Sequence, residues 1–269
     1  MSVVVCAYNE GRHLDRLLAS LECQTLQPRE VIVVDDGSTD RTAAIAMAYG
    51  ARTIRVPHRG PAVGRNVGAV AAKGEILVFA DGDMSCHPEY VERLARPIAA
   101  GAAVGTFTAD IFVGHPANAW ARSYGAIRRL GFPRLLPESF PDRWDNFRAV
   151  SRPAFLAVGG YDDVGYGEDR TLAPKLGELA LKAPGARCCH YHPDSPREIF
   201  ENARWIGRGH DAGHHAHPVR DNLPTTALRR ALRDIARGHP LRVLAARQIY
   251  SAGFLLGLAD RRLGRSHVK

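Results

Sequence analysis

Residues 31–40 have the sequence Val-Ile-Val-Val-Asp-Asp-Gly-Ser-Thr-Asp. Four β-branched residues in succession are typical of a buried strand, and the Asp, Gly and Ser residues that follow favour a turn. Because Asp and Ser also cap helices, this turn can start a helix that runs from Arg41 to Tyr49. A strand that leads through a short turn into a helix is the building unit of a parallel sheet covered by helices.

The same alternation continues on both sides of this segment. Short apolar runs predict further strands at 3–6, 53–56 and 75–80, and apolar residues spaced three or four apart predict helices at 12–23 and 63–72. We therefore expect an α/β fold with a central, mostly parallel sheet flanked by helices. Ligands of such sheets bind at the carboxyl ends of the strands, so the polar residues that follow the strands form the candidate site.

Asp81-Gly82-Asp83 follows the strand at 75–80 and places one carboxylate on each side of a glycine. Alternate carboxylates in a turn can share one divalent cation, and Mg²⁺ or Mn²⁺ held in this way completes its coordination shell with substrate phosphates. The alternative is an ordinary turn or helix cap, because Asp and Gly are common turn residues.

Several common site motifs are absent from the sequence. There is no G-x-x-x-x-G-K-[ST] phosphate loop, no G-x-G-x-x-G after the first strand, no G-x-S-x-G elbow and no H-E-x-x-H. The sequence therefore does not support a function as a kinase-like NTPase, a Rossmann dehydrogenase or an α/β-hydrolase.

The composition is that of an ordinary folded protein. Of the 269 residues, 45% are hydrophobic and 24% charged, which excludes a disordered, collagen-like or coiled-coil chain. The five cysteines form no C-x-x-C pair, so neither a disulfide framework nor a zinc knuckle is predicted. The N-terminus shows no signal-peptide pattern, and the longest apolar stretch, Ile249–Ala259, is about half as long as a membrane span. We expect a cytoplasmic protein.

The net charge of +8 is confined to the last quarter of the chain. Residues 1–200 contain 23 basic and 23 acidic side chains, whereas residues 201–269 contain 13 basic and 5 acidic ones. Ala227–Arg237 is predicted to be a basic amphipathic helix, with an apolar face formed by Leu228, Ala231, Leu232 and Ile235. Such a surface favours peripheral contact with anionic lipid at the inner face of the cell membrane.

Five segments with polar residues follow one another along the chain: Val3–Glu10, Val31–Asp40, Gly64–Gly68, Phe79–Asp83, and Gly159–Asp162 with Gly167–Asp169. Their order and separations resemble the family-2 inverting glycosyltransferases, which have the A-type glycosyltransferase fold. The resemblance covers residues 1–200 and implies a catalytic domain there, with a nucleotide-sugar half at 1–104 and an acceptor half at 105–200. A basic helical extension would follow at 201–269.

The resemblance implies a donor site built from the first three segments. Tyr8 and Asp36 match the positions that hold the nucleotide base, and Ala7 and Glu10 belong to the same site. Arg65 matches a basic residue near the base or the diphosphate. Other interpretations remain open from the sequence: Tyr8 as a core aromatic, Asp36 as a helix cap, and Arg65 as the partner of a surface carboxylate.

The metal site implied by the resemblance is the D-x-D motif. Asp81 and Asp83 match residues that contact the ribose and a metal-bound diphosphate, and either His190 or His192 matches a histidine that reaches the metal. A structural role for both histidines is the alternative. Met84 stands where many relatives carry another acid or a hydroxyl residue, which leaves open which aspartate binds the metal directly. The His-rich stretch at 210–217 is predicted to be a solvated loop.

On the acceptor side, Asp169 matches the general base that deprotonates the acceptor hydroxyl, and Glu168 beside it is predicted to have a supporting role. The Q-x-x-R-W motif of processive members appears only as Asn202-Ala203-Arg204-Trp205, without the glutamine. The prediction is therefore a non-processive, Mn- or Mg-dependent inverting glycosyltransferase. It would move a sugar from a nucleotide-diphosphate sugar to a glycan or lipid-linked acceptor, with no nucleic-acid partner.

Two other classes of function remain as alternatives at this point. One is a non-catalytic protein that docks on anionic lipid through its basic C-terminal segment. The other is a sugar-phosphate nucleotidyltransferase, which shares the α/β architecture, although no Gly-rich activation loop with Arg or Lys follows the first strand.

Overall fold

The computed structural model describes residues 1–209 and 218–264, so the predicted His-rich loop at 210–217 lies outside the described residues. The chain divides into two compact units. The sheet unit comprises Met1–Phe112, Arg134–Asp163 and Gly167–His190, and the helical unit comprises Val113–Pro133, Val164–Tyr166 and Tyr191–Lys269. Residues 113–133 and 191–200 thus group with the C-terminal helices rather than with the remainder of the predicted 1–200 domain.

An eight-stranded sheet forms the core of the sheet unit. The described residues form strands of two sheets, this one and a smaller one. In chain order these strands are β1 (Ser2–Ala7), β2 (Glu30–Asp35), β3 (Arg52–Arg55), β4 (Ile76–Asp81), β5 (Met84–Cys86), β6 (Gly105–Phe107), β7 (Ile111–Val113), β8 (Arg143–Trp144), β9 (Ala149–Ser151), β10 (Ala180–Lys182) and β11 (Cys188–His190). The order in the large sheet is β3-β2-β1-β4-β9-β6-β10-β8. The predicted strands at 3–6, 31–34, 53–56 and 75–80 are confirmed as β1 to β4, within one or two residues at each end.

The register of β1 brings the acidic strand ends together. β1 lies between β2 and β4 and is parallel to both, with Ala7 opposite Asp35 and Cys6 opposite Asp81. The three carboxyl ends therefore meet at one edge of the sheet. The next strand in the sheet, β9, runs antiparallel to β4, and the amide of Phe79 donates to the carbonyl of Arg148 over 2.8 Å. This pairing brings residue 148 to the same edge.

Helices follow the strands as the sequence predicts. The sheet unit contains α1 (Leu14–Glu22), α2 (Thr42–Ala48), α3 (Pro61–Ala71), α4 (Tyr90–Ala99), α6 (Arg152–Ala157) and α7 (Leu172–Leu176), and the helical unit contains α5 (Ala119–Arg128), α8 (Pro196–Gly209), α9 (Pro218–Asp221), α10 (Pro224–Ala236) and α11 (Val243–Arg262). Asp40 accepts a hydrogen bond from the amide of Thr42 over 2.9 Å, so it does serve to start α2.

α3 packs unusually close to the sheet because glycines face it. A Cβ atom added to Gly68 would lie 2.3 Å from Cγ1 of Val4, and one added to Gly64 would lie 2.2 Å from the sulfur of Cys6. Both partners are parts of β1. Arg65 lies between the two glycines, and the close approach of the helix carries it to the carboxyl ends of the strands.

A second, three-stranded sheet lies beyond the D-x-D turn. Its order is β5-β11-β7, and in the antiparallel pair of β5 and β11 His190 lies opposite Met84. β5 begins one residue after Asp83, so this pairing brings His190 close to the turn despite the long separation in sequence.

The helical unit is built around the pair α8 and α11. Added Cβ atoms at Gly207, Gly253 and Gly257 would lie within 2.4 Å of backbone carbonyl oxygens of the partner helix, so the two backbones are nearly in contact. The buried carboxylate of Asp260 joins the pair by accepting from Arg204 and Arg208. None of the helices in the described ranges combines the length and the apolar character that crossing a bilayer requires.

α10 packs through small residues and leaves two leucines of its predicted apolar face exposed. Its buried residues are Ala227, Ala231 and Asp234, whereas Leu228 is 46% and Leu232 54% exposed. The predicted apolar face is therefore exposed at these two leucines, and the lipid contact predicted for this helix stays a prediction. Small alanine side chains make the inward contact, and Asp234 is accommodated there because it forms an ion pair with Arg247 of α11 over 2.6 Å.

Gly68→Ala should reduce the free energy of unfolding by about 1–3 kcal/mol, because the new methyl group collides with a stiff, β-branched core side chain. Gly125→Ala is the matched control, since a Cβ atom at this helical glycine meets no atom within 4 Å. The control should be neutral or stabilising by up to about 1 kcal/mol. Urea unfolding of both variants tests the packing of α3, and equal effects would contradict it.

Candidate active site at the carboxyl ends of the strands

Asp81, the last residue of β4, is held between two arginines. One carboxylate oxygen accepts from Arg65 over 2.8 Å and the other from Arg148 over 2.7 Å. Both guanidinium groups are largely shielded from solvent, with 12% and 16% of their side chains exposed. Burial alone would raise the pKa of Asp81, but Arg148 and Arg65 outweigh it and hold that pKa well below its usual range. Asp81 therefore stays ionised.

Arg65 also binds Glu168, so a single guanidinium connects α3, β4 and the 3₁₀ turn at Glu168–Arg170. Both partners of Arg65 are shielded carboxylates of the site. The structure therefore does not contain the alternative considered from the sequence, in which Arg65 pairs with a surface carboxylate. Burial raises the pKa of Glu168, although Arg65 opposes this shift. Glu168 is only 5% exposed, which agrees with a supporting role.

Asp83 and His190 complete a cluster with Asp81. One ligand atom from each of the three side chains lies within 4.8 Å of the others, and Nε2 of His190 is 3.6 Å from Oδ1 of Asp83. Carboxylates and an imidazole are suitable ligands for Mn²⁺. Because both oxygens of Asp81 already accept from arginines, Asp83 is the carboxylate better placed to bind a cation directly. The residues present therefore fit a divalent metal.

His192 belongs to the helical unit, where it is 6% exposed. Its ring lies 5.4 Å from that of Tyr124. The described cluster with metal-binding geometry contains His190 and not His192.

Tyr8, His58 and Asp36 form a second group at the ends of β1 and β2. The rings of Tyr8 and His58 are stacked, with centroids 3.7 Å apart and planes 14° from parallel. Nδ1 of His58 lies 2.9 Å from one carboxylate oxygen of Asp36. That oxygen also accepts from the amide of Gly60, and the other oxygen accepts from the amide of Arg59. Asp36 thus holds the histidine against which Tyr8 stacks. The contact of Asp36 with the nucleotide base stays a prediction.

Ala7 and Glu10 lie on either side of this group. The carbonyl of Ala7 accepts from the amide of Asp36 over 2.9 Å, which ties the ends of β1 and β2 together. Glu10 packs against the D-x-D turn: a Cβ atom added to Gly82 would lie 2.7 Å from Cγ of Glu10. The middle position of the turn therefore has room only for glycine.

Asp169 lies beside Glu168 but in a different environment. It is half-buried, and it accepts a hydrogen bond from the side-chain amide of Asn146. This bond orients the carboxylate, while one face of the residue stays accessible. The structure thus separates the two acids into an anchored Glu168 and an accessible Asp169.

Asn66 connects α3 to the glycine-rich segment that precedes the acidic pair. Its side-chain amide donates to the carbonyl of Tyr161 over 2.8 Å and accepts from the amide of the same residue over 2.9 Å. Neighbouring residues of one helix therefore hold both ends of this region, Asn66 at Tyr161 and Arg65 at Glu168.

Four residues that shape the site were not predicted from the sequence: His58, Asn66, Asn146 and Arg148. Asn66 directly follows Arg65 in a segment that was singled out, so its position was a usable signal. The other three are isolated polar residues outside any motif, and they contact the site only through pairing between distant segments.

Comparison with known proteins identifies the family and the fold. The family model for Glycosyl transferase family 2 matches residues 2–159. Validoxylamine A glucosyltransferase of Streptomyces hygroscopicus subsp. limoneus is 30% identical over 215 residues, covering 65% of this chain and 47% of that protein. S. aureus TarS 1–349 in complex with UDP-GlcNAc superposes with a TM-score of 0.56 at 19% identity, covering 98% of this chain and 92% of that chain.

The mannosyltransferase PcManGT from Pyrobaculum calidifontis, in complex with GDP-Man and Mn²⁺, gives a TM-score of 0.57 at 19% identity, covering 98% of this chain and 87% of that one. The chain belongs to glycosyl transferase family 2 and has the A-type glycosyltransferase fold. These similarities do not favour the two alternative functions, a non-catalytic lipid-docking protein and a nucleotidyltransferase. The chain spans about half or less of the length of the curated relatives that it matches.

Arg148→Met should destabilise the sheet unit by about 3–5 kcal/mol, because it leaves the shielded carboxylate of Asp81 undercompensated. The double variant Arg148→Met/Asp81→Asn should lose less free energy of unfolding than the two single variants together, because Arg65 and Glu168 then remain as a balanced pair. We expect a coupling free energy of about 2 kcal/mol from urea unfolding of the four proteins.

Arg152 provides the control for this cycle, because its guanidinium donates to the carbonyls of Ala69 and Val70 and to no carboxylate in these bonds. Arg152→Met and Asp81→Asn should therefore be additive within about 0.5 kcal/mol. Equal coupling in both cycles would show that Arg148 does not act through Asp81.

Proposed function

We propose that this chain catalyses inverting, non-processive transfer of a sugar from a nucleotide-diphosphate sugar to a hydroxyl group of a glycan or lipid-linked acceptor, with a divalent metal as cofactor. The observation that carries the proposal is the network around Arg65. This network connects the D-x-D turn to the acidic pair, so one rigid group of side chains holds both a cation-binding turn and an accessible carboxylate.

The acceptor would be activated by Asp169. Its carboxylate accepts the proton of the acceptor hydroxyl as the acceptor oxygen forms a bond to the anomeric carbon. The bond between that carbon and the diphosphate oxygen breaks, and the electron pair leaves with the nucleoside diphosphate. Attack comes from the face opposite the leaving group, so an α-linked donor gives a β-linked product. Asn146 supports this role because its hydrogen bond fixes one side of the carboxylate.

Asp83 and His190 would hold the metal, with Asp81 next to them. When bound, the metal neutralises the negative charge that develops on the departing diphosphate. The imidazole in this donor set favours Mn²⁺ over Mg²⁺, which takes oxygen ligands almost exclusively. The Mn²⁺ in the complex of PcManGT supports the same choice.

The nucleotide base would lie on Tyr8. The ring of this residue is half-buried and has His58 stacked on one face, so a base would stack on the opposite face. Stacking accepts any base, so this surface does not distinguish uracil from guanine. The solved neighbours hold both UDP-GlcNAc and GDP-Man.

We also propose peripheral contact of the basic C-terminal helices with the anionic inner face of the cell membrane. Such contact would bring a lipid-linked acceptor to the enzyme. The excess of basic residues after residue 200 supports it.

Asp169→Asn should lower transfer by about 10²- to 10⁴-fold, because the amide cannot accept the proton, while the Kd for the donor nucleotide stays within about twofold. Transfer from a panel of UDP, GDP and dTDP sugars, with Mn²⁺ present, measures the first quantity and calorimetry the second. Asp142→Asn is the control: this carboxylate is 82% exposed and pairs with Lys182. Transfer at the wild-type rate by the Asp169 variant would refute the base assignment.

His190→Gln and Asp83→Asn should each weaken Mn²⁺ binding by at least about tenfold, the loss that even an outer-shell partner of a metal can cause. His192→Gln is the matched control and should leave Mn²⁺ affinity unchanged. Electron paramagnetic resonance of free Mn²⁺ measures binding without any need for activity. If His192→Gln weakened binding and His190→Gln did not, the choice of histidine would be wrong.

A further inference from the structure

A cavity of about 370 Å³ lies in the helical unit, between the end of α5 and the helices α10 and α11. Five guanidinium groups line it, against the single carboxylate of Asp234: those of Arg129, Arg230, Arg233, Arg237 and Arg247. Ala126 and Leu130 add an apolar part to its wall. The cavity therefore combines strong positive charge with a small apolar surface, and nothing in the proposed transfer reaction uses it.

Two of the five arginines are neutralised within the unit. Arg247 donates to Asp234 over 2.6 and 2.8 Å, and Arg230 donates to Asp221 over 2.8 Å. In contrast, Arg129, Arg233 and Arg237 are exposed, and within residues 1–209 and 218–264 no carboxylate forms an ion pair with them. Three positive charges thus converge on one cavity without internal compensation, which favours an anionic ligand.

Arg129 occupies a position that its residue type disfavours. It ends α5 with φ = 57°, in the left-handed region where glycine or asparagine is normally found. A long side chain at this position costs about 1 kcal/mol relative to glycine. Local strain of this kind is often retained where the side chain serves a function, and here the side chain lines the cavity.

Two exposed leucines lie on the same helix as Arg233, and Arg237 caps the end of that helix. Leu228 and Leu232 are one turn apart on α10 and are 46% and 54% exposed, and Leu241, soon after the helix, is 73% exposed. Arg233 and Arg237 are also one turn apart, and 3.6 residues per turn place them on a different flank of α10 from the leucines. The outer surface of α10 thus presents apolar side chains on one flank and cations on the other.

We propose that this surface docks on an anionic phospholipid bilayer, with a lipid phosphate in the arginine cavity and Leu228 and Leu232 in the boundary between headgroups and acyl chains. This inference rests on the peripheral membrane contact proposed above and gives it a location. Charge complementarity identifies the phosphate, and the leucines distinguish a bilayer from a soluble polyanion, which offers no apolar phase.

The test is cosedimentation of the full chain with vesicles of phosphatidylglycerol and phosphatidylcholine, compared with vesicles of phosphatidylcholine alone. The protein should bind only the anionic vesicles. The double variant R233Q/R237Q should weaken binding by about thirtyfold, given the contribution of each arginine near an anionic surface. R261Q/R262Q, at the end of α11, removes the same charge outside the cavity and should weaken vesicle binding by less than about threefold. Equal losses in both double variants would overturn the cavity as the site.

Arg129→Gly gives a test that folding defects cannot imitate. The substitution relieves the left-handed backbone, so the melting temperature should rise, yet binding to anionic vesicles should fall by about fivefold. Unchanged vesicle binding would remove Arg129 from the site.

The leucines decide between a bilayer and other polyanions. L228S/L232S should weaken vesicle binding by at least about tenfold and leave binding to inorganic phosphate unchanged. If a single-stranded oligonucleotide or inorganic phosphate bound as tightly as the vesicles, with the same dependence on Arg233 and Arg237, the lipid assignment would be wrong. Mn²⁺-dependent binding of UDP or GDP should be equal in the wild type and all these variants. This readout separates a failure of membrane docking from a failure of the transferase proposal.

Discussion

The active-site region depends on one guanidinium group, that of Arg65, which bonds at once to Asp81 at the end of β4 and to Glu168 in the acidic turn. Burying charges is expensive unless they are mutually compensated. Here two arginines, Arg65 and Arg148, face two carboxylates in a shielded group. An ion network of this kind adds little net stability compared with an apolar core, but it permits only one arrangement of its members. The segments that bear the chemistry are therefore fixed relative to one another.

Each acidic pair in the site divides into an anchored and an accessible member. In the D-x-D turn, Asp81 is held by arginines while Asp83 faces His190. In the pair at residues 168 and 169, Glu168 is held by Arg65 while Asp169 stays half-buried beside Asn146. The same type of side chain thus serves as support at one position and as a reacting group at the next. The difference lies in which partners the fold supplies.

The sheet and the main site residues could be predicted because their signals are local. Runs such as Val31–Val34 identify strands, and Asp81 and Asp83 stand directly after one. Arg148, Asn146 and His58 were not predictable in the same way. Arg148 reaches Asp81 because β9 pairs antiparallel with β4, and no periodicity in the sequence reports that pairing.

The packing of α10 was not predictable from the sequence for a different physical reason. Leu228 and Leu232 are exposed, and the helix is packed through the small residues Ala227 and Ala231. A buried ion pair between Asp234 and Arg247 occupies the adjacent position. A pattern based on side-chain polarity cannot anticipate that a carboxylate is inside and leucines are outside, because the partner of Asp234 comes from another helix.

The parallel register of β1, β2 and β4 restricts how this chain can vary in length. Successive side chains of a strand point to opposite faces of the sheet, so one residue inserted within β4 would turn Asp81 away from Arg65 and Arg148. One residue deleted from β1 would separate Ala7 from the amide of Asp36. Insertions and deletions that preserve the site must therefore fall in the segments between the elements. Variants with a changed substrate preference should therefore be made by altering the lengths of loops while the strands are kept intact.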